Sequence, residues 1–175
     1  MISRANDIQP KIYQRGVKPV KMKIRKAHIK DAYRIQALLK KYSVEGELII
    51  RPMGDIFAQI RDFFVLDKKG RPAGIVALHV YWEDLGEIRS FIIEKNSRGR
   101  GLGEKLLGTA IKEAKLIGIK KVFALTKIPD FFLKYGFKKI SRSKLPHKIW
   151  RDCFNCSKYP KHCDETAVIY RIKES

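Results

Sequence analysis

Ser97-Arg98-Gly99-Arg100-Gly101-Leu102-Gly103-Glu104-Lys105-Leu106-Leu107 follows directly on an apolar run and changes the character of the chain within a few residues. Glycines at 99, 101 and 103 let the backbone come close to a bulky anion with no Cβ in the way, and a helix begins at once. Leu102, Leu106 and Ala110 recur at i, i+4 and i+8, with Leu107, Ile111 and Ala114 beside them, while Lys105, Lys112 and Glu113 take the opposite face. The first N–H groups of that helix, from Gly101 to Glu104, lack carbonyl partners and carry the positive end of its dipole. The stretch therefore reads as a phosphate cradle, the alternative being a turn that merely joins strand to helix. Arg98 and Arg100 add charge that a plain turn does not need.

Rival phosphate motifs do not fit. A Walker loop requires Gly-Lys-Ser/Thr at the helix start, whereas Gly103 is followed by Glu104. The dinucleotide pattern G-x-G-x-x-G needs glycine at 104 or 106, where Glu104 and Leu106 stand. What remains, Arg98-x-x-Gly101-x-Gly103, resembles the pyrophosphate-binding signature of the GNAT superfamily of acetyl-coenzyme A-dependent N-acetyltransferases. That resemblance implies acetyl-CoA as co-substrate, held by Arg98, Gly99, Arg100, Gly101, Leu102, Gly103 and Glu104.

With 175 residues the chain is long enough for one domain with a sizeable core. Its 38 lysines and arginines against 18 acidic residues give a formal charge of +20. Such a field steers anionic substrates and also suits nucleic acid, which is kept as an alternative and not favoured. Lysine-rich surfaces are common in thermophile proteins as well. No apolar run approaches the roughly 18 residues that span a bilayer, and no apolar signal core opens the chain, so a cytoplasmic protein without membrane contact is expected.

Residues 1–22 are rich in basic side chains and interrupted by Pro10, Gly16 and Pro19, and are expected to form a flexible arm ahead of a domain spanning 23–175. Within that domain Lys23 to Lys26 reads as a strand and Ile29 to Tyr42 as a helix with Ala32, Ile35, Leu39 and Tyr42 on one face. Asp55 leads a second helix with Ile56, Ile60 and Phe63 together. Phe64 to Leu66 and Ala73 to Tyr81 bracket a turn cluster at 67–72 and read as a hairpin, and Gly86 to Ile93 is the strand that enters the glycine loop. Beyond the helix, Lys121 to Leu125, Phe137 to Ser141 and Thr166 to Ile172 read as strands, with a short helix from Pro129 to Gly136. The order predicts an α/β fold of the GNAT kind, a mixed and mostly antiparallel central sheet flanked by helices.

Acetyl transfer to an amine needs an anchored donor, an N–H for the thioester oxygen, a base for the ammonium proton and a proton source for the leaving thiolate. In GNAT proteins a bulged strand before the glycine loop supplies the N–H, and Phe91-Ile92-Ile93 is the matching stretch, with Ile93 as the donor. An acidic residue at the position of Glu87 is the base in several members, and partial burial would favour its neutral form; a surface carboxylate paired with Arg89 or a lysine is the other reading. The tyrosine that often protonates the thiolate is replaced by Phe132. Ser90 or a water is left for that step, since Tyr135 lies on a different azimuth. Phe131 and Phe132 are expected to pack on the core and the pantetheine arm.

Further phrases narrow the resemblance. Ile49-Ile50-Arg51, Arg61-Asp62-Phe63-Phe64-Val65, Trp82-Glu83-Asp84 before Gly86-Glu87-Ile88-Arg89-Ser90, Phe123-Ala124-Leu125-Thr126, and Leu145 to Trp150 together resemble short amino-acid N-acetyltransferases of the N-acetylglutamate synthase type, over about residues 23–171. The resemblance implies L-glutamate as acceptor and a place in arginine biosynthesis. It puts Arg51 on a substrate carboxylate with Ile49 beside it, and Lys127 among the substrate contacts. Glu87 and Ser90 match catalytic strand positions, although cysteine is frequent where Ser90 stands. An arginine with a lysine is the usual physical answer to a dicarboxylate, although Arg51 read without the resemblance is equally a solvated cation. A homodimer is expected. A protein lysine or N-terminal amine is the alternative acceptor, and a nucleic-acid-binding protein with an auxiliary acetyltransferase core is the alternative function.

The loop at about 145–164 carries Cys153-x-x-Cys156, His162 and Cys163, with His147 upstream, a spacing that suits a structural zinc. The adjacent pair His162 and Cys163 rarely reaches one ion, so the cysteines are read as free thiols and no metal ligand is assigned.

Overall fold

The computed structural model describes residues 22–44, 51–146 and 161–173. Ile49, His147, Cys153 and Cys156 lie outside the described residues, as does the expected basic arm except for its last residue.

Strand β1 (Met22–Lys26) leads through a single 3-10 turn at Ile29–Asp31 into α1 (Ala32–Val44), and α2 (Met53–Ala58) follows. Three strands come next, β2 (Phe63–Lys68), β3 (Arg71–Trp82) and β4 (Leu85–Ile93). Helix α3 (Leu102–Leu116), β5 (Lys121–Thr126), α4 (Pro129–Lys134), β6 (Lys138–Lys139) and β7 (Thr166–Arg171) complete the chain. The sheet order is β1-β2-β3-β4-β5-β7-β6, and every neighbouring pair is antiparallel except β4 with β5. The expected mixed, mostly antiparallel sheet between helices is what the chain forms.

Both faces of the sheet are covered, which explains why β2 reads as an unbroken apolar run and not as an alternation. On one face Leu106, Leu107 and Ala110 of α3 and Phe132 of α4 pack against Val76, Leu78, Ile88 and Val122. On the other, Ile35, Leu38, Leu39 and Tyr42 of α1 and Ile56 of α2 meet Phe63, Val65, Ile75 and Ala77. Each large side chain removed from water in these layers contributes about 2 kcal/mol, so the two helical layers fix the central strands from above and below.

Two expected boundaries move. Phe63 belongs to β2, where it pairs with Ala77, and not to the helical face of Ile56 and Ile60. The helix stops at Ala58 and a 3-10 turn over Ile60–Asp62 redirects the chain. Of the strand expected at 137–141, Lys138 and Lys139 form β6 and pair with β7, and the Ile140 N–H continues that contact to the Ala167 carbonyl at 3.0 Å.

The feature that makes room for a site is a bulge. Ile75 pairs with Ile92 and Ala77 with Arg89, so Ser90 and Phe91 together face Val76 alone. Ser90 takes the left-handed conformation this demands, at φ 54°. Below it β4 pairs with β5 at Leu85, Gly86 and Glu87; beyond Glu87 that pairing ends and the two strands separate. Gly101 at φ 69° then turns the chain into α3.

Candidate active site

The parting of β4 and β5 opens a cavity of about 590 Å³. Its walls are the bulged half of β4, the glycine loop with the first turn of α3, the end of β5, and α4. Of the residues singled out in the sequence, Ser90, Phe91, Ile92, Ile93, Arg98, Gly99, Gly101, Leu102, Gly103, Glu104 and Lys127 line it. Glu87, Arg51 and Arg100 do not, and Ile49 is not among the described residues.

At one end the cavity meets the start of α3. The first intrahelical bond runs from Lys105 N–H to the Gly101 carbonyl at 3.2 Å, so the N–H groups of Leu102, Gly103 and Glu104 have no helical acceptor. A methyl at position 103 would stand 3.4 Å from the Phe131 ring and 3.5 Å from that of Phe91, so glycine there keeps the space between helix and aromatic wall open. An anion fits this corner on charge and on room. Glu104 adds a negative group to it, and the Tyr135 hydroxyl donates to that carboxylate at 3.2 Å. Burial first and the Glu104 carboxylate second push the Tyr135 pKa up. Tyr135 thus serves the helix end, while Phe132, in the place where a tyrosine was sought, is 2% exposed within the core.

The middle of the cavity is set by β4. Glu94 N–H donates to the Ala73 carbonyl at 3.0 Å, and by the alternation of an antiparallel ladder Ile93 then turns its N–H and carbonyl away from β3, toward the open edge. Arg98 confirms the direction, because its Nε donates to the Ile93 carbonyl at 2.9 Å. The Arg98 guanidinium also lies 5.5 Å from the ring centre of Tyr42. Arg98 thus ties the glycine loop back onto the bulged strand. Phe91 and Phe131, with ring centres 5.3 Å apart, give this part an apolar wall.

Charged groups gather at the far end. Glu87 and Arg89, two residues apart, share one face of β4 below the bulge. Glu87 is 8% exposed, and its Oε2 lies 3.6 Å from Arg89 Nη1. Arg89 is itself buried and lines the cavity, with Nη2 donating to Gln59 Oε1 at 2.5 Å. Asp62 Oδ2 lies 3.8 Å from the same nitrogen and 2.7 Å from His79 Nδ1. Burial lowers the Arg89 pKa, and the charge of Arg51 lowers it further. Lys127 reaches the cavity from the end of β5 and forms an ion pair with Asp164 at 2.7 Å.

Sequence reasoning passed over Arg89, Tyr135 and Glu165 as cavity residues. For Arg89 a signal was present, a cation two residues from Glu87 in an otherwise apolar strand. Cys163 is a free thiol that accepts from Arg142 Nη2 at 3.1 Å, and no group of three metal-ligating side chains occurs among the described residues. No helix among them is long and apolar enough to cross a membrane.

Comparison with known proteins agrees with this geometry. Residues 31–137 match the model of the acetyltransferase (GNAT) family. The chain is 38% identical over 146 residues to an uncharacterised N-acetyltransferase of Chlorobaculum tepidum, covering 83% of this chain and 94% of the relative. It is 28% identical over 140 residues to an amino-acid acetyltransferase of Mycobacterium tuberculosis, covering 78% of each. Among solved structures it is similar to N-acetylglutamate synthase from Neisseria gonorrhoeae complexed with coenzyme A and N-acetylglutamate, with a TM-score of 0.79 and 28% identity. That similarity covers 90% of this chain and 36% of the synthase chain.

Proposed function

We propose that this chain, which belongs to the acetyltransferase (GNAT) family, moves acetyl from acetyl-CoA to the α-amino group of an amino acid, and that the amino acid is L-glutamate. The observation that carries the reading is the continuity of one cavity from the glycine loop and the first turn of α3 to the open edge of β4 at Ile93. The loop and helix start take the diphosphate, and Phe91 and Phe131 flank the pantetheine arm. The Ile93 N–H meets the thioester oxygen. Preorganised backbone donors of this sort stabilise the oxyanion that develops as the carbonyl carbon becomes tetrahedral.

The amine attacks the thioester carbon within a ternary complex. A C–N bond forms, the C–S bond breaks, and the ammonium proton passes to Glu87 through a water, since Glu87 is not among the residues that line the cavity. The CoA thiolate takes a proton from Ser90, which lines the cavity at the bulge, or from water. Arg51 and Lys127 hold the acceptor's carboxylates. Glutamate is supported by the resemblance of these positions to those of N-acetylglutamate synthases and by the amino-acid acetyltransferases among the relatives. A role in arginine biosynthesis, a cytoplasmic setting and a homodimer belong to the same proposal and rest on that resemblance.

The test is a panel of free amino acids and a peptide amine with acetyl-CoA, read by product mass. N-acetylglutamate as the main product supports the reading. Acetylation of the peptide with none of glutamate overturns it.

A further inference from the structure

Glu104 is the acidic residue in the first turn of α3, two positions after Leu102 opens the helix. A glutamate at that place ordinarily bends back and accepts from the free N–H groups at the start of its own helix, where the positive end of the dipole also favours it. In this chain it does not. The N–H groups of Leu102, Gly103 and Glu104 have no helical acceptor, and no side-chain cap bond is made at Gly101. The Glu104 carboxylate accepts instead from the Tyr135 hydroxyl at 3.2 Å, across to the residue that closes α4.

The tyrosine is placed for this by its neighbours. Its ring packs on Phe131 with centres 5.0 Å apart, and Phe131 packs on Phe91 at 5.3 Å, so the aromatic wall of the cavity fixes where the hydroxyl stands. Tyr135 and Glu104 both line the cavity, at the corner that has room for an anion. At 3.2 Å the bond is long for two oxygens and it is open to solvent, so it directs the carboxylate more than it strengthens the fold.

Two anions can claim the same N–H groups: the carboxylate tethered to the helix and the diphosphate that arrives from solution. The tethered group has the advantage of effective concentration. A helix start that is to receive the second must therefore have the first engaged elsewhere. We propose that Tyr135 is a positioning residue for CoA: by drawing the Glu104 carboxylate across to α4 it keeps that carboxylate off the free N–H groups of α3 and leaves them to the diphosphate. This rests on the placement of the diphosphate at the loop and helix start, and adds to it the residue that keeps the corner open.

The experiment is calorimetric titration with CoA of the native protein, Tyr135→Phe, Glu104→Ala and the double variant. Tyr135→Phe keeps the ring and its packing and removes the donor, and CoA affinity is expected to fall about three- to tenfold. Glu104→Ala removes the competing anion and is expected to bind CoA at least as tightly as the native protein. On that background Tyr135→Phe is expected to change the affinity less than about twofold, because no carboxylate is left to release. An equal loss on both backgrounds overturns the proposal, since the hydroxyl then touches the cofactor itself, and no loss on either overturns it as well. Gly103→Ala in the same titration separates this proposal from the placement beneath it. If that methyl leaves CoA affinity unchanged, the diphosphate lies elsewhere and both fall; if it weakens CoA while Tyr135→Phe does not, only the role of Tyr135 is lost.

Discussion

Arg98 and Ile93 are joined across the mouth of the cavity, Nε of the first donating to the carbonyl of the second at 2.9 Å. The bond closes the glycine loop onto the strand whose next group on the same edge is the Ile93 N–H. On the proposed reading Arg98 then serves cofactor binding through loop shape as well as charge. Arg98→Met is expected to weaken CoA binding about tenfold by calorimetry, the worth of one such bond. Arg98→Lys is expected to do no better, because an ammonium does not reproduce the Nε hydrogen-bond geometry to Ile93. If lysine restores most of the affinity, Arg98 acts as a plain phosphate cation.

Gly103 separates the needs of the fold from those of the ligand. Its φ is not in the left-handed region, and a Cβ there meets Phe131 at 3.4 Å and Phe91 at 3.5 Å, ordinary contacts. Alanine in the first turn is expected to cost no stability and to add up to about 1 kcal/mol of helix propensity, seen as an unchanged or higher Tm. The same methyl occupies the corner proposed for the diphosphate, so CoA affinity is expected to drop about tenfold or more. Unchanged CoA affinity would place the diphosphate elsewhere.

Glu87 lies 3.6 Å from Arg89, which lines the cavity, and its removal tests the proposed proton path. Glu87→Gln keeps size and burial while removing the proposed base. A fall in kcat of about 10² to 10³ with little change in CoA affinity is the expected outcome in steady-state kinetics at neutral pH. A fall confined to KM would make Glu87 a positioning group.

The loop and α3 were legible because their signals are local: three glycines, then apolar residues at helical spacing, ending in the buried Leu106, Leu107, Ala110 and Ala114. Phe63 was misread because its three-residue offset from Ile60 suits a helix. What decides its state is Ala77 on another strand, a contact that propensity does not contain. The same non-local logic hid Arg89. Its place in the cavity wall depends on β5 leaving β4 after Glu87 and on the bulge at Ser90, and a lone cation in the strand does not by itself report where the two strands part.

Arg25 joins β1 to two carboxylates, with Nη1 2.6 Å from Asp31 Oδ2 and Nε 2.7 Å from Asp67 Oδ2. Burial pushes the Asp31 pKa up, but the Arg25 hydrogen bond and the His28 N–H outweigh it and hold the carboxyl below the usual range. For Asp67 the Arg25 hydrogen bond leads and burial opposes it, again with a net lowering. Both folded-state values lie below the unfolded ones. The stabilisation is therefore complete above the ordinary carboxylate range and is lost as pH falls below about 4, through the lowered values. Urea unfolding at pH 7, 5 and 3.5 is expected to show that loss. Arg25→Met leaves two buried carboxylates without their cation and is expected to cost about 3 kcal/mol at pH 7. Its penalty shrinks as pH falls through the carboxylate range, because protonation removes the charges that Arg25 pairs in the native protein. A variant whose stability follows the native pH dependence would show that the three residues do not act as a unit.

Ser90 combines a strained backbone with a side chain in the cavity, and two substitutions separate them. At φ 54° a serine costs about 1 kcal/mol that glycine does not, so Ser90→Gly is expected to raise stability by about that amount while Ser90→Ala does not. Both variants lack the hydroxyl proposed to protonate the thiolate. If that proton matters, both lose kcat about tenfold or more in thiol-release assays, in spite of their different stabilities. If the bulge alone matters, with water supplying the proton, Ser90→Ala keeps native kcat because its backbone and Ile93 N–H remain in place. Equal turnover in Ser90→Ala and the native protein would remove Ser90 from the chemistry and leave it with the single task of bending β4.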